Sequence, residues 1–557
     1  MSPSRPASIL YVLIMKFFPF MNVLPLVTLF GGAQGLSNQM CKTYDKSLGL
    51  DAHSIVNAAN ELLPSYDIFS GLLINIVDEE DGEDAGGGTN TEGSYQTTLF
   101  NGTEIFPAGI CDIPDNGGNP RCGTDSGGTI SFLLGPADVL AFYLCSPPPM
   151  RYYSYDTIIA TRLTEQYPFY PGQPFGDTIS NAKINISSSA DDEDDDTAFD
   201  KPILIIQSAD LAAAEAVANA YVATKKVDRA AISIRGIDSG TVRLWDRSGG
   251  KSWQDSRPDI LSIVSRMTMP YDHPEAASGS ESGSSSAQKP LSSFASTRDY
   301  EEYKVLQWPA ALYRADDEAT ALLPAKPALL SRGSDVNEVE MLSDVFAELK
   351  QSIILSTADG ALKGIQTVSL AEEGYYDDWD VVLERRNNDS FAVPTRDAIY
   401  GLPVCLSDGA CKLESTTSAV VIGVLHRDVL QAAYNSVGVS VLNVRNNQYL
   451  ETHWITDSDL RGSAKRYLDA SASGRGSNAA SSMANSDSLF AIDFRPPGKC
   501  EGSAYPQWCV EFQEDSLAQL GVVPYLILGE RVYAAGETAI GPCVNETIGA
   551  ELLVFSL

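Results

Sequence analysis

The sequence predicts an α/β protein with a mixed, partly parallel sheet, covering helices and disulfide bonds, and three observations carry that expectation. The first is Phe199–Ile237, where a β-rich run (Ile203–Gln207) leads into Ser208-Ala-Asp210, a helix N-cap signal. Leu211, Ala214, Val217, Ala218, Tyr221 and Val222 then recur at helical spacing, and Ala230–Ile234 reads as a second strand. Strand, helix and strand so close together form a βαβ unit, which builds parallel pairing under a helix. The second observation is Asp335–Leu355, where Val339, Leu342, Val345, Phe346, Leu349 and Ile353 form one apolar stripe. The third is a set of nine cysteines with three close pairs, 111/122, 405/411 and 500/509. Each pair can close a small loop in an oxidising compartment. Cys41, Cys145 and Cys543 are left, so at least one thiol is free or intermolecular.

The chain of 557 residues is 44% hydrophobic and 20% charged, enough for two or three cores of ordinary domain size. Its formal charge of −34 argues against nucleic acid and against an anionic membrane surface, both of which need clustered positive charge. Lys16 followed by the apolar run Phe17–Phe30 and by Gly31-Gly-Ala33-Gln-Gly35 has the layout of a secretory signal peptide cut after Gly35. The run is short and proline-broken for a membrane span, so no stable membrane insertion is expected after cleavage. Met15 opens a better signal than Met1 and is the expected true start. Uncleaved anchoring is the competing reading. Four N-x-[ST] sequons, at Asn101, Asn185, Asn388 and Asn545, fit a secreted or other secretory-pathway glycoprotein.

Residues 36–75 read as helical, with Ile55, Val56, Ala59, Leu62 and Leu63 on one face. Asp78–Gly88 is an acidic, glycine-rich loop, and 90–145 carries β-type runs, with Ile130–Leu134 and Val139–Leu144 as strand candidates. Cys145-Ser-Pro-Pro-Pro-Met-Arg151-Tyr-Tyr-Ser-Tyr155 reads as a rigid turn, because three prolines forbid regular structure. Asp191–Asp196 is an all-acidic block, read as a solvated linker because it lacks EF-hand spacing. Residues 36–270 thus make an N-terminal α/β region, 271–298 a low-complexity linker, and 299–557 a C-terminal α/β region with an insertion at 471–488. Ala419–Leu425 and Val439–Val444 are strand candidates of the second region, as are Val522–Leu528 and Leu552–Leu557. No internal repeat stands out, although 203–236 and 419–444 are loosely alike.

Ligands of open α/β sheets gather at strand carboxyl ends. Three groups follow predicted strands: Arg151 with Tyr152, Tyr153 and Tyr155; Ser208 with Asp210; and His426 with Arg427 and Asp428. If they converge, Arg151 is the anion anchor, His426 the general base or acid, and Tyr153 or Tyr155 the oxyanion donor. Against that stand blander roles: a packing turn for the tyrosines, a structural His426, and an N-cap for Ser208-Ala-Asp210. His53, His273 and His453 have no evident partners, and the spacings hold no metal or cofactor signature. Gly176-Asp-Thr-Ile-Ser180 has Thr where a GDS-type hydrolase needs its nucleophilic Ser. G-x-S-x-G, Walker A, H-E-x-x-H and the dinucleotide glycine fingerprint are absent.

Four landmarks lie at Cys145–Tyr155, Gly176–Asn181, Gly423–His426, and Glu530-Arg-Val-Tyr533 with Gly541-Pro542. In these the chain resembles a set of secreted proteins of unknown function, over roughly residues 130–557. It departs from their pattern at Ser146 and Ser180. The resemblance implies secretion and supplies no catalytic residues that can be carried over. The sequence therefore predicts an exported glycoprotein that handles a small oxygenated or anionic molecule at a strand-end site. The alternative is a non-catalytic solute-binding or cell-surface protein.

Overall fold

In a computed structural model, the chain is described at residues 41, 47–75, 93–101, 105, 110–112, 121–123, 128–150, 152–163, 168–169, 173–174, 179–180, 184, 199–237, 239–268, 302–315, 336–356, 361–371, 398–403, 417–429, 432–443, 448–456, 460–472, 486–500, 505–513, 524–535 and 543–556. The expected signal segment, the acidic block and the low-complexity linker lie outside these residues. The described residues divide into two compact units, one up to Ala315 and the other from Val336 onward.

Among the described residues the first unit has one large mixed sheet, a separate two-stranded pair (Ile110–Asp112 with Arg121–Gly123), two long helices and the four-residue helix Trp253–Ser256. The nine strands of the large sheet's continuous path are β1 (Tyr66–Asn75), β2 (Gly93–Asn101), β3 (Val139–Cys145), β4 (Tyr152–Leu163), β5 (Gln173–Pro174), β6 (Pro202–Ser208), β7 (Ile232–Gly236), β8 (Ile260–Thr268) and β9 (Trp308–Ala315), and four two-residue strands, Gly128–Thr129, Ser131–Phe132, Pro168–Phe169 and Ile179–Ser180, pair off it. The nine pair in the order β5-β4-β8-β2-β1-β9-β3-β6-β7, and along this path every pairing is antiparallel except β6 with β7. The βαβ unit is therefore present, with helix α2 (Leu211–Ala223) between its strands, but it forms one edge of a mostly antiparallel sheet. The expected balance of helix and strand shifts toward strand.

Strand β3 is buried along its whole length, and alternation assigns its two faces. Tyr143 packs against Tyr221 of α2, whose hydroxyl meets that of Tyr313, 2.9 Å away. Phe142, on the opposite face, packs against Tyr155 of β4 at 5.5 Å. Strands at opposite ends of the pairing order thus face one another, so the sheet coils back on itself. Helix α1 (Ser47–Asn60) shares the outer layer, where Tyr313 donates to Asn60 Oδ1. The disulfide Cys41–Cys145 ties the start of the described chain to the end of β3.

The second unit contains β10 (Ala361–Ala371), β11 (Ala398–Pro403), β12 (Thr417–Val424), β13 (Ala432–Asn443), β14 (Gln448–Thr456), β15 (Leu489–Arg495), β16 (Cys509–Glu511), β17 (Pro524–Ala535) and β18 (Glu551–Ser556). Their order is β14-β13-β17-β11-β10-β18-β12-β15-β16, again antiparallel except for the last pair. Adding nine to each label of the first unit gives the second. Along these nine-strand paths sequence order, spatial order and strand sense all agree, so the two units share one path topology among the described residues.

The register agrees as well. Pro202 faces Cys145 in the first unit, and Leu489 faces Val424 in the second. Just past those strands, Ser146 N–H donates to Lys201 O at 2.7 Å and Leu425 N–H to Ser488 O at 2.8 Å. At the other end, Ile237 N–H donates to Ser208 O and Phe512 N–H to Arg495 O. The layering follows suit. Val420, Ile422 and Val424 pack under Leu342, Phe346, Leu349 and Ile353 of α3 (Glu338–Ser356), while Ala419 and Val421 pack toward Val437, Val439 and Leu528.

Several sequence expectations change. Residues 66–75 are strand β1, because Leu73 and Ile74 bury in a sheet and not on a helix. Tyr152–Tyr155 is the start of β4, and not a turn: the prolines end before it, and its backbone pairs with β8. Trp308–Ala315, expected in the C-terminal region, is a central strand of the first unit, between β1 and β3. Leu62, Leu211 and Val339 are exposed on helices or turns whose other apolar residues are buried. The repeat was not expected. Its counterpart of 203–236 is 489–511, and 419–444 matches the β3–β4 region.

Candidate functional site

The three predicted groups occupy known places in this repeated plan. The connections after β3 and after β12 are topological equivalents, so the Arg151/Tyr group and the His426 group hold corresponding positions in different units. Arg151 lies outside the described residues, as do the side chains of Arg427 and Asp428. Asp210 is the N-cap of α2, accepting from Ala212 and Ala213 N–H at 2.8 and 3.2 Å. Ser208 supports it, accepting from Asp210 N–H and donating to Asp138 O.

His426 is fully buried between two glutamates from distant parts of the chain. Nδ1 lies 2.7 Å from Glu338 Oε1, on the first turn of α3, and Nε2 lies 3.0 Å from Glu530 Oε1, on β17. Each carboxylate spends its other oxygen on a backbone N–H, that of Ile548 for Glu338 and that of Ala550 for Glu530. Burial alone would lower the imidazole pKa. The Glu338 carboxylate, joined by Glu530, outweighs it and lifts the pKa from 6.5 to about 10. The ring is therefore an imidazolium at neutral pH, with both N–H groups engaged, and acts as an ion-pair anchor joining α3, β12 and β17.

Tyr153 and Tyr155 point from β4 into the core of the first unit, both without solvent exposure. Their rings are in edge contact at 5.9 Å, and Tyr153 also meets Phe199. Burial raises both phenol pKa values well above 10, and each is raised further by a neighbouring phenol, Tyr155 for Tyr153 and Tyr303 for Tyr155. They are hydrogen-bond donors at any physiological pH.

Tyr155 also reaches a recess of about 20 Å³ lined by Thr157, Ile179, Gln207, Arg235, Gly236 and Ile237. The recess sits where the coiled sheet meets itself: Thr157 on β4 hydrogen-bonds Gln207 on β6 across the seam. Gln207, Arg235 and Gly236 are at the carboxyl ends of the parallel pair β6–β7, the position at which α/β sheets place ligands.

Behind Tyr155 runs a polar row. Gln96, Ser265 and Tyr155 are register partners on β2, β8 and β4. Gln96, Thr98 and Ser265 are buried, and the Gln96 amide, Thr98 Oγ1 and Ser265 Oγ have no hydrogen-bond partner among the described residues. The same row in the second unit holds Gly401, Glu530 and Val437. The carboxylate that holds His426 thus stands where the first unit has Ser265.

Sequence reasoning missed Glu338, Glu530, Gln207 and Arg235. Glu338 opens a helix, where an acid is expected for the dipole alone, and Glu530 carries no local signal beyond its Glu-Arg-x-Tyr landmark. Gln207 and Arg235 were readable only as strand ends. Buried ion pairs elsewhere in the first unit are satisfied within the fold. Asp138 accepts two bonds from Arg247 and one each from Gly135 and Ala315 N–H. Asp259 holds Arg162 through both carboxylate oxygens. Among the described residues no group of His, Cys, Asp and Glu is arranged to hold a metal ion.

No protein-family model matches the chain, and no curated protein matches it. Among solved structures, an uncharacterized protein from Burkholderia cenocepacia aligns over 93% of both chains at 9% identity, with a TM-score of 0.30. The N-terminal CBM22-1–CBM22-2 tandem domain of Paenibacillus barcinonensis Xyn10C aligns over 88% of this chain and 98% of its own, at 7% identity and a TM-score of 0.13. Likenesses this remote carry no argument about fold or function.

Proposed function

We propose that the protein is an exported binding protein that takes a small oxygenated or anionic molecule at the recess of its first unit. The observation that carries this reading is that Arg235 and Gln207, at the carboxyl ends of β7 and β6, line one recess with Tyr155 and Thr157 of β4. A space of about 20 Å³ admits one functional group, such as a carboxylate, with the rest of the ligand outside. Arginine suits that group because its planar fork matches two carboxylate oxygens. Tyr153 sets the Tyr155 ring by edge contact.

Binding without turnover is favoured, because none of the lining side chains titrates near neutral pH and His426 is engaged as an anchor in the other unit. Export is supported by the disulfides Cys41–Cys145 and Cys500–Cys509 and by the signal-type N-terminus. The sequon asparagines Asn101 and Asn545 are exposed, as glycosylation requires. No helix among the described residues is long and apolar enough to cross a membrane.

A thermal-shift screen of small mono- and dicarboxylates against the secreted protein tests the reading. A hit that stabilises the wild type and is lost in Arg235→Ala supports it. No hit at millimolar concentration, or a hit that Arg235→Ala leaves unchanged, removes the recess as the site.

A further inference from the structure

The two units differ most usefully in the connection between their parallel strands. In the first unit that connection is α2, which packs on the sheet. In the second, the described part of that connection is the turn at 496–500, bridged by the Cys500–Cys509 disulfide, and the 3₁₀ turn Pro506–Trp508 just before β16. A 3₁₀ turn has three residues per turn, so side chains at i and i+3 eclipse. Here those residues are Tyr505 and Trp508, whose backbones are joined by Trp508 N–H donating to Tyr505 O. Their rings stack with centroids 5.7 Å apart and planes within 23°.

This connection is held at both ends. Glu511 accepts from the N–H groups of Gly498 and Cys500, and Arg466, from helix α4 (Lys465–Ala472), lies over both rings at 5.7 and 5.6 Å. Arg466 is itself fixed by Asp493 and by Ala491 O. Tyr505 nevertheless keeps 41% of its surface in water, the one aromatic among the exposed large hydrophobic side chains of the described residues. Pro506 and Gln507 beside it are exposed.

We infer that Tyr505 and Trp508 form a stacking platform for a pyranose ring of a neutral glycan. A pyranose has a face of C–H groups and an edge of hydroxyls. An aromatic face carries the negative side of its quadrupole and attracts the polarised C–H groups. The hydroxyl edge needs a polar group at the rim, which the exposed Gln507, between the two rings in sequence, supplies. Rings immobilised by a disulfide, a 3₁₀ turn and a guanidinium lose little freedom on binding. A protein partner fits less well, because a stable interface needs about 800 Å² on each side, far more than two rings present. A polyanionic glycan would meet a chain of net charge −34. The platform is independent of the recess in the first unit, and either can stand without the other.

Isothermal titration of the full-length protein with hexaoses of β-1,4-glucan, β-1,4-xylan, β-1,3-glucan and β-1,4-mannan, and with oligogalacturonate, tests the inference. At least one neutral hexaose binds the wild type. Tyr505→Ala weakens it about tenfold, while Tyr505→Phe, which keeps the ring, stays within about threefold. Trp508 fluorescence shifts on binding, and denaturation midpoints of the variants match the wild type. Absence of binding by every neutral hexaose at millimolar concentration, binding by oligogalacturonate alone, or an affinity unchanged in Tyr505→Ala overturns it.

Discussion

His426 concentrates the electrostatics of the second unit in one side chain. Its pKa is about 10 in the folded protein against 6.5 in an unfolded chain, so folding takes up a proton between those values. The resulting stability is fully present below pH 6.5 and is lost as pH rises through about 10. Urea denaturation at pH 6, 8 and 10 should therefore show the unfolding free energy of the second unit falling steadily, by an amount on the order of a few kcal/mol in all. His426→Gln should abolish most of that slope. It should also destabilise the second unit by about 3–5 kcal/mol, because two buried carboxylates lose the cation between them. A variant with the wild-type midpoint and slope would show that the anchor carries no weight. None of this was readable from the chain: His426 lies 88 residues from Glu338 and 104 from Glu530. A histidine at a strand end looks the same in sequence whether it is catalytic or ion-paired.

At the scale of elements, the best-read pieces were those whose signal is local. The βαβ unit was legible because Asp210 caps α2 with its own side chain and because Ala214, Val217, Ala218 and Tyr221 share one buried face. Asp210→Ala should lower the stability of the first unit by about 1 kcal/mol, as loss of an N-cap does, measurable by chemical denaturation. Helix α3 was legible for the same reason, and the structure adds its cap, Asn337 Oδ1 accepting from Glu340 N–H. Strands β9, β10 and β14 were harder. Trp308–Ala315 is buried on both faces, so it lacks the alternation that marks a half-exposed strand, and its neighbours β1 and β3 lie far away in the chain. The recess suffered similarly, since Thr157 and Gln207 become neighbours only when the sheet coils.

The whole molecule holds two units that share one path topology among the described residues, with little sequence in common. Its repeat was invisible because what is shared is backbone pairing, while the side chains at matched positions differ: Cys145 and Val424, Ser265 and Glu530, Tyr155 and Val437. Each unit has buried clusters of its own among the described residues. Thermal or urea unfolding should therefore resolve into two transitions, and His426→Gln should move only one of them. A single transition shifted as a whole would indicate coupled units. The net charge of −34 adds self-repulsion that salt screens, so both midpoints should rise between 10 and about 150 mM NaCl, where the Debye length contracts to about 8 Å. A midpoint that falls with salt would mean that attractive surface pairs dominate.

If the chain is exported as proposed, the Cys41–Cys145 bond sets an order of events during its entry into an oxidising compartment. Cys41 arrives 104 residues before its partner, and Cys111 and Cys122 arrive in between. During that interval the early thiol can be captured by the wrong cysteine, whereas Cys500 and Cys509, nine residues apart, meet almost as soon as they emerge. Maturation of the first unit should therefore wait on thiol exchange, and an isomerase should speed it more than it speeds the second. In an exported chain the bond that ties the start of the described residues to β3 would thus also set the pace of maturation, the earliest cysteine being among the last to find its place.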